Sequence, residues 1–261
     1  MNLVTLHHVG VAYDGYEALK NVDLTIAQDD FLGIIGPNGG GKTTLVKAIL
    51  GTVPHTGEVV LSPELFRGKE RLIGYMPQIS NFDRTFPISV LEVVLSGLQG
   101  HRGFVSRYTK ADRAKALGLL ETSGIGETAR SPIGEVSGGQ MQRALLCRAV
   151  ISDPKLLILD EPANFVDNKF ENELYRTLRE LNGRMAIVMV SHDIGTITSV
   201  GILSRAITAA PITVLPNPVG AERIPFSNSS NRSTASAWPS RSSPLKLIRM
   251  TGPTKRSALA R

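Results

Sequence analysis

The chain has 261 residues, 42% hydrophobic and 20% charged, a composition typical of a globular protein with a sizeable core. This balance excludes a wholly disordered or collagen-like chain, and no run of about 18 apolar residues predicts a membrane-spanning helix. The first residues lack a basic segment followed by an apolar run, so no secretory signal is expected. The single cysteine, Cys147, cannot form an internal disulfide and fits a reducing compartment, which favours the cytoplasm.

The net charge of +6 is unevenly divided along the chain. The residues after 200 hold nine Lys or Arg and one acid, whereas the first 200 hold 20 bases and 22 acids. In that basic C-terminal segment, Ser and Pro supply 17 of 61 residues. A nucleic-acid-binding protein needs its basic residues gathered on a folded face, so nucleic acid is not an expected partner.

The first 60 residues are predicted to form strands joined by turns, with the opening of a nucleotide-binding unit among them. Residues 31–35 (FLGII) are a short apolar run, typical of a strand buried on both faces. A glycine-rich stretch follows, and residues 42–50 then place Leu45 and Ile49 on one helical face before Gly51 ends the helix. A strand, a glycine loop and a helix in this order indicate an α/β fold with a parallel sheet.

Two further apolar runs are predicted to be buried strands of the same sheet. Residues 156–159 end in Asp160 and Glu161, and residues 186–190 are followed closely by His192. Ligands bind at the carboxyl ends of strands in open parallel sheets, so these polar side chains are candidates for a site.

The pattern becomes helical between these strands. Thr109-x-x-Asp112 and Ser137-x-x-Gln140 have the residue types of a helix N-terminus, where the first side chain accepts a backbone hydrogen bond. We therefore predict a helical insert over residues 80–135, followed by a helix that starts at Ser137.

A phosphate-binding loop is predicted directly after the first buried strand. Its residues fit the pattern G-x-x-x-x-G-K-[ST] and are Gly36, Pro37, Asn38, Gly39, Gly40, Gly41, Lys42 and Thr43. Glycines let backbone N–H groups converge on phosphate oxygens at a helix N-terminus. Lys42 would reach the β- and γ-phosphates, the Thr43 hydroxyl would ligate Mg²⁺, and Thr44 would contact the α-phosphate. A glycine-rich turn with a chance lysine would not explain the position between a strand and a helix.

Asp160 and Glu161 supply two adjacent carboxylates at the end of a predicted strand. Asp160 can hold Mg²⁺ through water, and Glu161 can act as the general base that activates the attacking water. Taken alone, the pair could be a strand end with two solvated acids. Beside a phosphate loop, the pair favours hydrolysis of a triphosphate.

Residues 136–140 (VSGGQ) open the helix that starts at Ser137. Ser137 has a structural explanation as a helix cap. The adjacent Gly138 and Gly139 do not, because each glycine costs a helix about 1 kcal/mol. Bare backbone beside a serine hydroxyl, followed by Gln140, is instead suited to contact a phosphate.

Together these segments resemble the nucleotide-binding subunit of ATP-binding cassette (ABC) transporters over roughly residues 3–200. The motifs occur in the family's order: Tyr13, the phosphate loop, Gln78, the VSGGQ signature, Asp160-Glu161, Asp167 and His192. The resemblance implies a P-loop NTPase core with a parallel sheet, an N-terminal antiparallel β subdomain and a helical insert that carries the signature. We thus expect an ABC ATPase domain over residues 1–200, with its helical subdomain at about 80–150, and a divergent tail over 201–261.

The resemblance also implies roles for individual residues. Tyr13 would stack on adenine, and Gln78 would sense Mg²⁺ and the membrane partner as part of the catalytic set. The signature residues Ser137–Gln140 would contact the γ-phosphate held by the opposite subunit. Asp167 would lie in the loop that crosses the dimer, and His192 would hold the γ-phosphate and the attacking water.

The family implies partners and cofactors as well. ATP and Mg²⁺ are the expected cofactors, and two copies of the chain would close face to face around two ATP molecules. The dimer would bind integral-membrane permease subunits at the cytoplasmic side of the membrane, and through them would serve a solute-binding protein.

Four segments are similar to those of ABC importers of zinc or manganese, and zinc is the preferred cargo: residues 75–78 (YMPQ), 86–90 (FPISV), 93–97 (VVLSG) and 104–108 (FVSRY). Chelated iron or another cargo stays open as an alternative. Other cassette ATPases fit less well: a DNA-repair type usually carries an inserted coiled coil, and a translation-factor type usually has two cassettes. A small-molecule kinase would share the phosphate loop without VSGGQ.

The resemblance stops near Gly201. Residues 202–215 are compatible with one more strand, whereas residues 228–261 are predicted to be disordered, since they are rich in Ser, Pro and Arg. Three explanations stay open: a shifted reading frame that impairs the product, a genuine disordered extension, and a basic segment that rests on anionic lipid.

Overall fold

The computed structural model describes residues 1–79, 85–99, 107–163, 168–192 and 246–250. The helices are α1 (Lys42–Leu50), α2 (Val90–Ser96), α3 (Lys110–Thr122), α4 (Gly138–Val150) and α5 (Asn168–Asn182). The strands are β1 (Asn2–Tyr13), β2 (Tyr16–Ala27), β3 (Phe31–Ile35), β4 (Thr56–Leu61), β5 (Phe66–Arg67), β6 (Glu70–Arg71), β7 (Ile73–Met76), β8 (Leu156–Asp160), β9 (Ala186–Ser191) and β10 (Lys246–Met250). The expected α/β architecture is therefore confirmed.

The strands of the described residues form two main sheets and a small hairpin. The N-terminal sheet has the order β2-β1-β4 and is antiparallel, and β5 pairs with β6 in the hairpin. The central sheet has the order β10-β3-β9-β8-β7, and its strands are parallel except for β10. The carboxyl ends of β3, β7, β8 and β9 consequently meet at one edge, where ligands bind in sheets of this kind.

The central sheet separates two apolar cores. Leu157 and Leu159 of β8 belong to the core formed with α2 to α5, whereas Leu156 and Ile158 belong to the core shared with α1 and the N-terminal sheet. This alternation is the two-residue period of a strand covered on both faces. It explains why β3, β8 and β9 are almost uninterrupted apolar runs in the sequence.

Three capping boxes occur among the described residues of the helical region. The boxes predicted at Thr109 and Ser137 are confirmed, since each side chain accepts a hydrogen bond from the backbone three residues on, at Asp112 and Gln140. The structure adds a third box at Ser89, whose hydroxyl accepts from the backbone N–H of Glu92. Each box satisfies backbone donors that a helix start leaves unpaired.

The C-terminal half of α4 packs backbone to backbone on its neighbours. A Cβ atom built on Gly74 of β7 would lie 2.1 Å from the Ala149 carbonyl oxygen, and one on Gly97, after α2, would lie 2.0 Å from that of Arg148. Only glycine permits this approach at either position. These two contacts fix the end of α4 against the central sheet and α2.

The expectation of disorder over residues 228–261 is wrong for one short segment. Lys246–Met250 form β10, which pairs antiparallel with β3 from Lys246↔Ile35 to Met250↔Phe31, and the rest of 228–261 lies outside the described residues. The average composition of the tail does not predict a strand at this short run (KLIRM), because a strand forms where a neighbouring strand, here β3, offers an edge to pair with. The strand expected within 202–215 lies outside the described residues.

No helix in the described part of the chain is both long and apolar enough to cross a membrane.

Candidate active site

A cleft of about 720 Å³ opens at the carboxyl edge of the central sheet, beside the β1–β2 turn. The residues that line it are Tyr13, Asp14, Tyr16, Ala18, Asn38, Gly39, Gly40, Gly41, Lys42, Thr43, Thr44, Gln78 and Glu161. The structure thus brings together most of the candidate ATP-binding residues and two of the candidate catalytic ones. Residues far apart in sequence meet here because β1, β3, β7 and β8 all end at this cleft.

The phosphate loop wraps around the start of α1. Gly41 is the N-cap of α1 with a φ of 76°, a left-handed conformation that favours glycine. The Gly40 N–H donates to the Pro37 carbonyl at 3.0 Å, which closes the loop into a tight turn. The loop therefore presents the N-terminus of α1 to the cleft, and a helix N-terminus attracts an anion.

Lys42 is the cation at the base of this loop, and only 6% of its surface is exposed. Its Nζ donates to the carbonyl oxygens of Gly36 at 2.9 Å and Pro37 at 3.0 Å. Burial lowers the pKa of Lys42, and the carboxylates of Glu161 and Asp160 oppose that shift. A buried ammonium held by two loop carbonyls is well placed to meet a phosphate.

Thr43 and Asp160 form an oxygen-rich pair next to Lys42. The Thr43 hydroxyl donates to Oδ2 of Asp160 at 2.9 Å, and Asp160 is only 2% exposed. Burial raises the pKa of Asp160, and the nearby Glu161 carboxylate adds to the shift, whereas the Thr43 hydrogen bond and Lys42 oppose it. A hydroxyl and a carboxylate side by side are hard oxygen donors, the type that Mg²⁺ prefers, so these residues fit the expected ion.

Glu161 lies at the centre of the candidate catalytic groups. Its Oε2 accepts a hydrogen bond from Nε2 of Gln78 at 3.2 Å, and its Oε1 lies 3.7 Å from Nδ1 of His192. The same Oε1 is 4.0 Å from Nζ of Lys42. Gln78 and His192 follow β7 and β9, the two strands that flank β8 in the sheet, and both converge on this one carboxylate.

The backbone of Glu161 is strained. Its φ is 51°, in the left-handed region that side chains other than glycine rarely adopt, which costs on the order of 1 kcal/mol. Its N–H donates to the Val190 carbonyl at 3.0 Å, so the strand β9 holds the strained residue in place. The side chain remains 10% exposed, which leaves the carboxylate accessible from the cleft.

The signature residues lie apart from the cleft of their own chain. Ser137 and Gln140 form the capping box at the start of α4, and none of Ser137–Gln140 is among the residues that line the cleft. Ser137 is exposed. The structure therefore leaves the start of α4 presented outward. Asp167, the candidate dimer-loop residue, lies outside the described residues.

Tyr16 also lines the cleft, although no sequence motif identified it. In the register of the first hairpin, Tyr13 pairs with Tyr16 across the turn formed by Asp14 and Gly15, and both aromatic rings belong to residues of the cleft. The signal was present, because Asp-Gly between two strand-like segments is a strong hairpin sign. Tyr13 itself is 40% exposed, as a residue available for stacking would be.

The parallel sheet, the phosphate loop before α1 and the carboxylates at the end of β8 define a P-loop ATPase. Residues 19–164 match the family model described as ABC transporter. The chain belongs to this family, and it is the ATP-binding cassette that hydrolyses ATP.

Individual relatives agree with this assignment. The chain is 42% identical over 200 residues to the zinc import ATP-binding protein ZnuC of Pseudomonas entomophila, which covers 76% of this chain and 71% of the relative. It is similar in structure to a metal-chelate type ABC transporter in an inward-facing conformation, with a TM-score of 0.65, 26% identity and 75% of each chain covered. It is also similar to a dimeric ATP-binding cassette in a post-hydrolysis state with ADP and Pi, with a TM-score of 0.63 and 29% identity, covering 74% of this chain and 90% of that one.

Proposed function

We propose that this chain is the ATP-hydrolysing subunit of an ABC importer of zinc, with manganese as the second candidate. The assignment of zinc as the cargo rests on the 42% identity to a zinc import ATP-binding protein over 200 residues. The similar solved transporter of the metal-chelate type is only 26% identical and supports chelated iron less strongly. The cassette itself never contacts the cargo, so the assignment is tested by transport and not by metal binding to this chain.

The hydrolytic step is assigned to Glu161. Its carboxylate accepts the proton of the attacking water, while Gln78 donates to Oε2 and so keeps the carboxylate oriented. His192, 3.7 Å from Oε1, is placed to hold the water and the γ-phosphate together. Lys42 binds the β- and γ-phosphates and stabilises charge that develops on them.

Mg²⁺ would be held by Thr43, Asp160 and Gln78. When bound, the ion neutralises negative charge on the phosphate oxygens. The adenine is assigned to Tyr13, and the phosphates to the loop from Gly36 to Thr44. These contacts account for the binding of ATP by one chain, and they do not involve the signature residues Ser137–Gln140.

Two copies of the chain supply the missing contact. Ser137–Gln140 lie outside the cleft of their own chain, and Ser137 is exposed. A face-to-face dimer would bring this segment of one copy to the ATP of the other, and the similar cassette bound to ADP and Pi is dimeric. Asp167 would lie at the same interface. ATP stabilises the closed dimer because it contacts both copies only there.

The dimer would be attached to permease subunits at the cytoplasmic face of the membrane. Closure and reopening of the dimer would drive the permease, and a solute-binding protein would deliver the metal on the far side. The loop that carries Gln78 would transmit this motion to the permease, since Gln78 donates a hydrogen bond to Glu161.

Transport into vesicles tests this function. The chain and its permease are reconstituted in proteoliposomes that are loaded with ATP and Mg²⁺, and zinc or manganese is offered outside on the solute-binding protein. We expect ATP-dependent zinc uptake that is lost in Lys42→Ala and kept in the control Lys115→Ala, a surface change in α3. Uptake of manganese alone, or of neither metal by a folded complex, would overturn the assignment to zinc.

A further inference from the structure

A second polar cleft, of about 460 Å³, lies between the end of α3, the middle of α4 and the middle of α5. It shares no lining residue with the nucleotide cleft, and Arg143 of α4 is one of the residues that line it. Arg143 follows Ser137 by six residues, or about 9 Å along the helix axis. The arginine is thus carried by the same rigid helix that begins at the signature.

Arg143 joins three elements through one guanidinium. Its Nη1 donates to the Ser123 carbonyl at 2.8 Å, and its Nη2 donates to Oε2 of Glu173 at 2.6 Å. The Arg143 and Glu173 side chains are 30% and 39% exposed. Because the planar guanidinium has donors in fixed directions, both contacts together determine where the arginine lies.

The Ser123 end of this connection is fixed by a second residue of α4. Sγ of Cys147, one turn after Arg143, lies 3.1 Å from the Ser123 hydroxyl. Two residues on the same face of α4 therefore hold the turn after α3. The contacts of Arg143 and Cys147 with Ser123 therefore restrict the position of the Arg143 side chain independently of its contact with α5.

The Glu173 end is fixed to the ATPase core. Leu174 and Leu178 of α5 pack in the same apolar cluster as Leu157 and Leu159 of β8, the strand that ends at Asp160 and Glu161. At the end of α5, the side chain of Asn182 donates to the Asp30 carbonyl, next to β3. Glu173 is thus on a helix packed against the strand that carries the catalytic carboxylates.

We propose that Arg143 is a positioning residue for hydrolysis. Through Glu173, it holds α4 at a set orientation relative to β8, so that the signature of one copy and Glu161 of the other reach the same ATP when the dimer closes. This inference rests on the proposed dimeric function. The consequence is specific: loss of the connection leaves ATP binding to the chain's own phosphate loop intact, but slows the step that needs the partner's signature.

Three variants of the full chain separate positioning from folding. Arg143→Gln and Glu173→Gln each remove the charged contact, and Arg143→Lys keeps a charge that can still reach Glu173. We expect kcat for ATP to fall about tenfold in both glutamine variants, a typical size for a change in coupling. The Kd for a fluorescent ATP analogue should stay within about twofold. Arg143→Lys should recover part of kcat, because it keeps the charged contact with Glu173 but loses the fixed fork toward the Ser123 carbonyl.

Lys115→Ala is the matched control, because it breaks another exposed ion pair of the helical region, with Asp153. Kd, kcat and Tm should not change in this variant. Ser137→Arg serves as the reference for a lost signature contact, and it should lower kcat without changing Kd.

Two results would overturn the positioning role. In one, kcat is unchanged in Arg143→Gln and Glu173→Gln while Ser137→Arg is inactive. In the other, kcat, Kd and Tm all deteriorate together, and Arg143→Lys does not recover activity, which would indicate a general structural role. If Ser137→Arg hydrolyses ATP normally, the dimeric function fails first, and the role of Arg143 fails with it.

Discussion

At the scale of single residues, the candidate site is organised around the Glu161 carboxylate, which has polar and charged side chains on both of its oxygens. Glu161 is held by Gln78 on one oxygen and faces His192 and Lys42 with the other. The left-handed backbone at Glu161 is stored strain, and strain of this kind persists where the surrounding structure fixes a residue for a purpose. At Glu161, this strain agrees with the proposed role of its carboxylate as a general base beside the phosphates.

The first prediction concerns this base. Glu161→Gln should bind ATP with an unchanged Kd, because the phosphate loop is intact, while kcat falls by about 10²–10⁴-fold, the usual contribution of a general base. The rate of phosphate release measures kcat, and titration with a fluorescent ATP analogue measures Kd. Glu127→Gln, an exposed change in the helical region, is the control. Near-normal phosphate release from Glu161→Gln would remove Glu161 from the role.

At the scale of elements, much of the fold could be predicted because its signals are local. The buried runs of β3, β8 and β9 are visible as apolar stretches, and the boxes at Thr109 and Ser137 mark helix starts. β10 could not be predicted from the sequence, because it pairs with β3 more than 200 residues earlier and the residues KLIRM do not indicate that partner. The approach of α4 to Gly74 and Gly97 was likewise invisible, since a lone glycine does not identify what packs on it.

The helix caps give the second prediction. Ser89→Ala removes the side chain that accepts from the Glu92 N–H at the start of α2, and should cost about 1 kcal/mol at neutral pH. In the folded chain, hydrogen bonds from the Ser89 hydroxyl and N–H lower the pKa of Glu92 below its ordinary value of 4.5. The contribution of that carboxylate is therefore present above pH 4.5 and is lost as the pH falls through the lowered pKa.

Urea unfolding of the wild type and Ser89→Ala measures this effect. The difference in unfolding free energy between them should be largest above pH 4.5 and should shrink at lower pH. A difference that grows on acidification would contradict the capping role of Glu92.

The third prediction concerns β10. A chain that ends at Met250 keeps all five residues paired with β3, whereas one that ends at Leu245 exposes the edge of the strand that leads into the phosphate loop. We expect the shorter chain to lose roughly 5 °C in Tm relative to the longer one. Differential scanning fluorimetry of the two truncations and the full chain makes the comparison. Equal Tm values would show that β10 adds nothing to the stability of the sheet.

At the scale of the whole molecule, the candidate site could be predicted in outline but not in its contacts. The motifs indicated the phosphate loop and the carboxylates, while the pairing of Tyr13 with Tyr16 and the connection through Arg143 required the folded chain. The central sheet brings the nucleotide contacts to one edge and leaves the start of α4 facing elsewhere. The central claim that follows is that each ATP site is shared by two copies.

Complementation between two inactive variants tests that claim most directly. Lys42→Ala damages the phosphate loop and keeps the signature, and Ser137→Arg does the reverse, so a mixed dimer contains one complete site. Each variant alone should be inactive, and an equimolar mixture should recover roughly a quarter of wild-type ATP hydrolysis if the complete site works independently. Substantial hydrolysis by Ser137→Arg alone, or no recovery in a mixture shown to form mixed dimers, would contradict the shared site.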